Sequence, residues 1–295
     1  MNRLKSNKLR EVMLIWLIGL VAFSAHTQEI SRPLKIMSFN IRNSKLDEGA
    51  NSWQNRKDIL FSLIKNSDPD IIGMQEVTAE QRSELEEHFS NYATYGRGRS
   101  ADGGDEETTI FVKKSIAILD RGIFWFSETP KEAGSRYEGE GLPRICTWVK
   151  LKRGGHVFFV YNVHLSTESW ATEKSAKFLV EKISEISASN PAFLLGDFNQ
   201  GETSKTIKTL VDAGFIDSYR QIRPEEEERW TFHDFCGHDY WAWGLFWFED
   251  PSRYDYIFYR DQDEITVQNA QIIEDSADGG YPSDHYPIIS TFQLK

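Results

Sequence analysis

Asn40, Glu76, His164, Asp197, Asn199, Asp255, Asp284 and His285 each stand at or beside the edge of an apolar run. Taken singly, an Asn or Asp in such a place is a turn former or a helix cap, and a lone His is a hydrogen-bonded structural residue. Taken together, they are polar groups at the ends of strands that can converge on one rim. Asn, Glu and Asp offer hard oxygen ligands, which suit Mg²⁺, Mn²⁺ or Ca²⁺ rather than a soft-ligand metal. Two histidines beside such an ion can bind phosphoryl oxygens or move protons.

The elements that must position these groups follow from hydrophobic period. Residues 34–42 (LKIMSFNIR) alternate apolar and polar as a half-buried strand does, and 70–77 (DIIGMQEV) and 192–199 (AFLLGDFN) are short buried strands. The run 157–165 (VFFVYNVHL) is a strongly apolar strand, and 108–113, 116–126, 144–152, 254–259, 265–273 and 286–293 are further strands. Helical spacing marks 56–65, 79–89, 205–213 and most clearly 171–188, where Ala176, Leu179, Val180, Ile183 and Ile186 form a stripe. Many strands with few, separated helices predict two packed sheets with helices on the outer faces. The charge-rich stretches 96–107 (GRGRSADGGDEE) and 223–228 (RPEEEE) are expected to be surface loops. No linker marks a second domain, so residues 29–295 are expected to form one catalytic domain.

Composition narrows the partners. A chain of 295 residues with 40% hydrophobic content can bury a sizeable core, which excludes wholesale disorder. Two cysteines exclude a disulfide framework and a cysteine-built zinc site. The formal net charge of −11 argues against a broad basic surface for gripping polyanions, although a bound divalent ion would reverse the field locally. Arg3, Lys5, Lys8 and Arg10 precede the apolar run 13–23 (MLIWLIGLVAF), after which small and polar residues follow. That is the pattern of a secretory signal over residues 1–28, with an uncleaved N-terminal anchor as the competing reading. The run is shorter than the roughly 20 residues that span a bilayer. Export to the periplasm or beyond makes a Cys146–Cys236 bridge permissible without requiring one.

The ordered series SFNIR (Asn40), MQEV (Glu76), RICTW (Arg144), NVHLS (Asn162, His164), GDFN (Asp197, Asn199), TFHDF (His233), RYDYIF (Asp255) and SDHYP (Asp284, His285) closely resembles the endonuclease/exonuclease/phosphatase superfamily. The match runs over residues 33–295. The resemblance implies an α/β fold, a four-layer αββα sandwich with two central, mainly antiparallel sheets and the site at one end of them. It also implies metal-dependent hydrolysis of a phosphoester with Mg²⁺ or Mn²⁺ as cofactor. By the same resemblance, Glu76 is the principal metal ligand, assisted by Asn40 and Asp284. Asp197 matches the residue that orients or deprotonates the attacking water, and Asn199 would bind phosphate or nucleophile. His285, paired with Asp255, would donate to a nonbridging oxygen, and His164 would contact the phosphate from the other side. Glu106, or adjacent Glu107, fits the register of a carboxylate that supports His164. Arg144 would contact phosphate or hold acidic residues in place.

Substrate is less legible. Residues 237–250 (GHDYWAWGLFWFED) crowd aromatic rings between two motifs. They are either a loop that buries its own rings or a substrate wall in which Trp241, Trp243 and Trp247 stack a base, sugar or lipid group. Trp170, just after the His164 strand, is another aromatic of the rim. The leading expectation is a nuclease-like phosphodiesterase. A phosphatase or phosphodiesterase acting on a lipid headgroup, sugar phosphate or nucleotide is the same-fold alternative, and a catalytically silent binding module is the alternative of another class. No obligate protein partner is evident.

Overall fold

Alternation along the strands decides the architecture. In β1 (Leu34–Asn40), Leu34 and Ile36 join one buried cluster while Met37 and Phe39 join another. A strand buried on both faces needs a packed layer on each side. The computed structural model describes residues 32–225, 229–239, 253–261, 263–277 and 279–295. The expected export segment, residues 226–228 of the acidic run and the aromatic rings at 240–250 lie outside them.

After β1 come β2 (Ile71–Val77), β3 (Tyr92–Tyr95), β4 (Glu107–Lys113), β5 (Ala117–Trp125) and β6 (Ile145–Arg153). Then follow β7 (His156–His164), β8 (Ala192–Asp197), β9 (Ile216–Asp217), β10 (Asp255–Arg260), β11 (Ile265–Ile272) and β12 (Ile288–Leu294). They build two six-stranded sheets, in the orders β11-β12-β1-β2-β4-β3 and β5-β6-β7-β8-β10-β9. Each sheet is antiparallel except at its centre, where β1 runs parallel to β2 and β7 parallel to β8. Helices α1 (Trp53–Ser67) and α2 (Ala79–His88) cover the outer face of the first sheet, burying Leu60, Leu63, Ile64 and Leu85 against Phe39, Ile72 and Met74. Helices α3 (Ser169–Ser187) and α4 (Lys205–Asp212) cover the second, with Leu179, Ile183, Ile207 and Leu210 against Tyr161, Leu194 and Phe258. Each such Leu or Ile contributes about 1.5–3 kcal/mol of burial. This is the expected α/β sandwich.

The inner faces change character along the central strands. β1 presents Leu34, Ile36, Ser38 and Asn40 in turn, β7 presents Phe158, Val160, Asn162 and His164, and β8 presents Phe193, Leu195 and Asp197. The apolar halves form the core between the sheets. The polar halves all lie at the carboxyl ends of the parallel pairs, and β10 starts its antiparallel run there with Asp255. Below the rim a polar belt joins the sheets: Gln75 Nε2 donates to Asn162 Oδ1 (2.7 Å), and Asn162 Nδ2 donates to the carbonyls of Met74 (2.9 Å) and Thr109 (3.1 Å). The belt needs close approach, and Gly73 permits it. A Cβ at Gly73 would stand 2.1 Å from Leu195 Cδ1 and 2.9 Å from the Asn162 amide carbon.

Element ends fall within a few residues of the sequence reading, because frayed ends carry no periodic signal. The short strands β3 and β9 and the five-residue α5 (Ser218–Ile222) were not anticipated, since each is too brief to show a period. The stretch 96–107 is not simply a solvated loop: Arg99 is buried and its N–H donates to the Glu106 carbonyl (3.0 Å). Cys146 and Cys236 are both free.

Candidate active site

The rim is assembled by register. β8 lies between β7 and β10, so Asp197 is flanked by His164 on one side and Asp255 on the other. Asp197 Oδ2 then becomes the hub, with Asn40 Nδ2 at 3.0 Å and the Nε2 atoms of His164 and His285 each at 3.7 Å. Asp197 Oδ1 accepts the N–H of Asn199 (2.9 Å), whose left-handed backbone (φ 50°) turns the chain over the site. Asn199 Nδ2 is held by the Leu165 carbonyl at 3.0 Å. His285 Nδ1 bonds Asp255 Oδ2 at 2.8 Å, which fixes the ring and leaves Nε2 toward Asp197.

Glu76 reaches the rim through a bulge. The β2–β4 register shifts between Met74 and Val77, and Glu76 adopts φ 61° there. A left-handed non-glycine residue is uncommon and costs about 1–2 kcal/mol, a strain typical of functional positions. The Glu76 carboxylate accepts from Asn40 Nδ2 (3.0 Å) and from the N–H of Asn43 (3.0 Å). Asn40 Oδ1 accepts the backbone N–H of Arg42 (3.0 Å), so its amide nitrogen is the group that faces the two carboxylates. Asn40 thereby holds Glu76 and Asp197 together across the two sheets. Asp284 enters from the loop before β12, where Arg42 Nη1 meets its Oδ2 at 3.1 Å while Asp47 grips the other edge of that guanidinium.

Charge and burial divide the two histidines. Burial alone would discharge His285, but the carboxylates of Asp255 and Asp197 outweigh it and push the imidazole up to about 10. His164 is driven the other way, well below its ordinary value, by burial and by the positive fields of Arg144, Arg99 and His285. It stands neutral at pH 7. Burial, with the Asp255 charge, pushes Asp197 up to about 7 against the opposing pull of His285 and its N–H donors. A carboxylate so placed is matched to proton transfer near neutral pH.

Arg144 lies just before β6 with Nε and Nη1 buried and without a hydrogen-bond partner. Burial and the charge of Arg99 lower its pKa, while Glu106, Asp197 and Glu140 act on it from around the site. A buried guanidinium with free donors is suited to an anion.

The site brings together Asn40, Glu76, His164, Asp197, Asn199, Asp255 and His285, with Asp284 joined through Arg42. Glu106 is placed differently from the expectation. Its carboxylate accepts from Asn43 Nδ2 (3.0 Å) and pairs with Arg99 Nη1 (2.8 Å), while Glu107 pairs with Arg82 (2.9 Å) and accepts from Thr109 (2.8 Å). The left-handed Asp105 (φ 68°) turns Glu106 that way, and the carboxylate beside His164 Nε2 is that of Asp197, at 3.7 Å. His233, the other motif histidine, is buried and stacked on Tyr286 with ring centres 3.9 Å apart. Sequence reading passed over Arg42, Asn43 and Arg99. The first two follow Asn40 directly, a usable signal; Arg99 sat within a charge run of the kind normally solvated.

Among the described residues, one group of three candidate ligands lies close together. Asp197, Asp255 and His285 place one ligand atom each within 4.8 Å of one another, but the Asp255–His285 bond already occupies Nδ1. Glu76 and Asp284 instead supply carboxylate oxygens whose charges both act on Arg42, which Asp284 also meets at 3.1 Å. A cation-attracting corner of oxygen donors fits a hard divalent ion.

Known proteins share this fold. Residues 37–285 match the family model described as the endonuclease/exonuclease/phosphatase family. A solved structure of that family from Bacteroides vulgatus is 30% identical with a TM-score of 0.79, covering 89% of this chain and 99% of the other. A mannosyl-6-phosphatase from Bacteroides thetaiotaomicron is 28% identical with a TM-score of 0.76, over 88% of this chain and 100% of the other. A 5'-tyrosyl-DNA phosphodiesterase from Caenorhabditis briggsae is 25% identical over 268 residues, 88% of this chain and 69% of the relative. The two named relatives are hydrolases of phosphoester bonds.

Proposed function

The chain belongs to the endonuclease/exonuclease/phosphatase family, and from that premise we propose that it is a divalent-metal-dependent phosphoesterase that directs water onto phosphorus. The observation that carries the reading is the convergence on Asp197 Oδ2 of Asn40, His164 and the His285–Asp255 pair, beside the unpartnered donors of Arg144. Glu76 and Asp284 would hold Mg²⁺ or Mn²⁺, with Asn40 keeping Glu76 in place. When bound, the ion would polarise a phosphoryl oxygen and neutralise charge that develops on the ester.

The side chains account for the rest of the work. Asp197 accepts a proton from the attacking water, and Asn199 orients that water or the phosphate beside it. Charged His285, held by Asp255, donates from Nε2 to a nonbridging oxygen as negative charge grows there. Neutral His164 donates from the opposite side without adding a charge that would compete with the metal. Arg144 receives the phosphoryl oxygens through Nε and Nη1. The named relatives include a phosphatase and a phosphodiesterase, so both monoester and diester substrates enter the test.

The test is hydrolysis of p-nitrophenyl phosphate and bis-p-nitrophenyl phosphate with Mg²⁺, Mn²⁺ or excess chelator. Metal-dependent release of nitrophenol, lost in Asp197→Asn, supports the proposal. Full activity in chelator, or wild-type turnover by the variant, refutes it.

A further inference from the structure

The segment between β5 and β6 carries a carboxylate that the chemistry above does not use. Glu140 is buried, only 6% exposed, and its Oε2 has no hydrogen-bond partner. Ser166, two residues beyond His164, lies near enough to act on its charge. Arg144 lies four positions on, close enough that each group acts on the charge of the other. Yet the Glu140 Oε2 and the Arg144 Nε and Nη1 atoms are all without partners. An acceptor and two donors buried within one short segment, and not bonded to each other, are costly unless a third group satisfies them.

The chemistry of that third group is constrained. A guanidinium can only donate and an ionised carboxylate can only accept. A ligand that satisfies both, with Glu140 ionised, offers acceptor oxygens to Arg144 and an O–H or N–H to Glu140. A fully ionised phosphoryl group meets the first requirement and fails the second, because it has no O–H to give and its oxygens repel the carboxylate. The second must come from a neighbouring part of the same molecule, and a hydroxyl near the ester oxygen does so.

The surroundings suit such a ligand. Trp170, at the start of α3, is 44% exposed, and its ring lies 3.7 Å from where a Cβ would stand on Gly139. An open indole face beside buried polar groups is a stacking platform for a sugar ring. The segment is braced rather than loose: Glu140 N–H donates to the Tyr137 carbonyl (3.1 Å), and Lys174 of α3 lies 4.2 Å over the Tyr137 ring. Gly139, at φ 87°, makes the turn that brings Glu140 inward.

We propose that Glu140, Arg144 and Trp170 form a subsite for the hydroxylated part of a sugar or polyol phosphate, with Glu140 accepting a hydrogen bond from a hydroxyl beside the phosphorylated oxygen. The proposal rests on the phosphoesterase reading and adds the class of substrate. Glu140 determines specificity here and moves no proton.

The experiment compares wild type, Glu140→Ala, Glu140→Gln and Trp170→Ala. Kinetics use hexose 1-phosphates, glycerol phosphate and a 5'-phosphorylated deoxyoligonucleotide against p-nitrophenyl phosphate, whose leaving group has no second hydroxyl. Calorimetric titration with the same sugar phosphates, in Mg²⁺ and in chelator, supplies a readout independent of turnover. In Glu140→Ala, KM for at least one hydroxylated phosphate should rise tenfold or more relative to KM for p-nitrophenyl phosphate, with little change in kcat. Glu140→Gln, which keeps an acceptor oxygen, should recover part of that loss, and Trp170→Ala should shift the same ratio. An unchanged ratio across the panel overturns the subsite. Equal losses on every substrate with a lowered Tm also overturn it, and make Glu140 a structural group. Sensitivity confined to a 5'-phosphorylated deoxyoligonucleotide would assign the site to nucleic acid instead. If wild type hydrolyses nothing but binds a sugar phosphate through Glu140, the phosphoesterase reading fails and the subsite stands.

Discussion

At the scale of single residues, position and protonation matter more than identity. Glu76 is held in a left-handed conformation by its bulge, so its backbone and its carboxylate can be tested apart. Both Glu76→Ala and Glu76→Gly should abolish most metal-dependent turnover. The glycine variant should be the more stable by about 1 kcal/mol, because only glycine adopts φ 61° without a Cβ penalty. Urea denaturation of the two variants checks this, and equal stabilities would remove backbone strain from the account. Asp255→Asn addresses the other half of the site. It leaves His285 without its charged partner at 2.8 Å, so kcat should fall about 10²-fold or more while KM changes much less. Unchanged turnover would reduce Asp255 to a structural role.

At the scale of elements, the site depends on how closely two sheets approach. Gly73 marks a point of close approach, and Gly73→Ala would drive a methyl against Leu195 and the Asn162 amide. The variant should lose about 1–3 kcal/mol in thermal or denaturant unfolding, the usual cost of overpacking. Because Asn162 carries the polar belt beneath Asn40 and His164, turnover should fall as well, even below the new Tm. Wild-type stability would mean that the sheets separate easily. Arg56 of α1 plays a matching part at the rim. Its guanidinium donates to the carbonyls of Ile41 (2.6 Å), Arg42 (2.6 Å) and Pro282 (2.9 Å), tying the chain after β1 to the chain before Asp284. Elements that meet only in the fold are thereby held in one register.

At the scale of the whole molecule, the acidic balance and the segment before residue 29 bear on where the protein works. The basic start and apolar run predict that an expressed full-length chain is exported and cleaved near residue 28. Mass spectrometry of the periplasmic or secreted fraction checks it, and an intact N-terminus in the membrane fraction would favour the anchor. The net charge of −11 fits a compact substrate held through one phosphate better than a long polyanion. A sugar or polyol phosphate seated between Arg144 and Glu140 meets that description.

Much of this was readable from the sequence because strand period is local. The alternation Leu34, Ile36, Ser38, Asn40 places Asn40 on the same face as the core and at the polar end of its strand, whatever its neighbours do. The same holds for Asn162 and His164 on β7 and for Asp197 on β8, and the ordered motifs then marked the polar ends as one rim. The tertiary structure alone decided which groups touch. Asn40 bridges two carboxylates that lie on different sheets, Glu106 turns to Arg99 and Asn43 rather than to His164, and Arg42, just after β1, reaches Asp284 near the other end of the chain at 3.1 Å. Glu140 and Arg144 gave no signal as a pair, because an unsatisfied buried atom exists only once the chain has closed around it. Period and residue type are properties of a segment. Register across sheets, desolvation and the pairing of charges are properties of the packed chain, and those are what turn polar strand ends into a site.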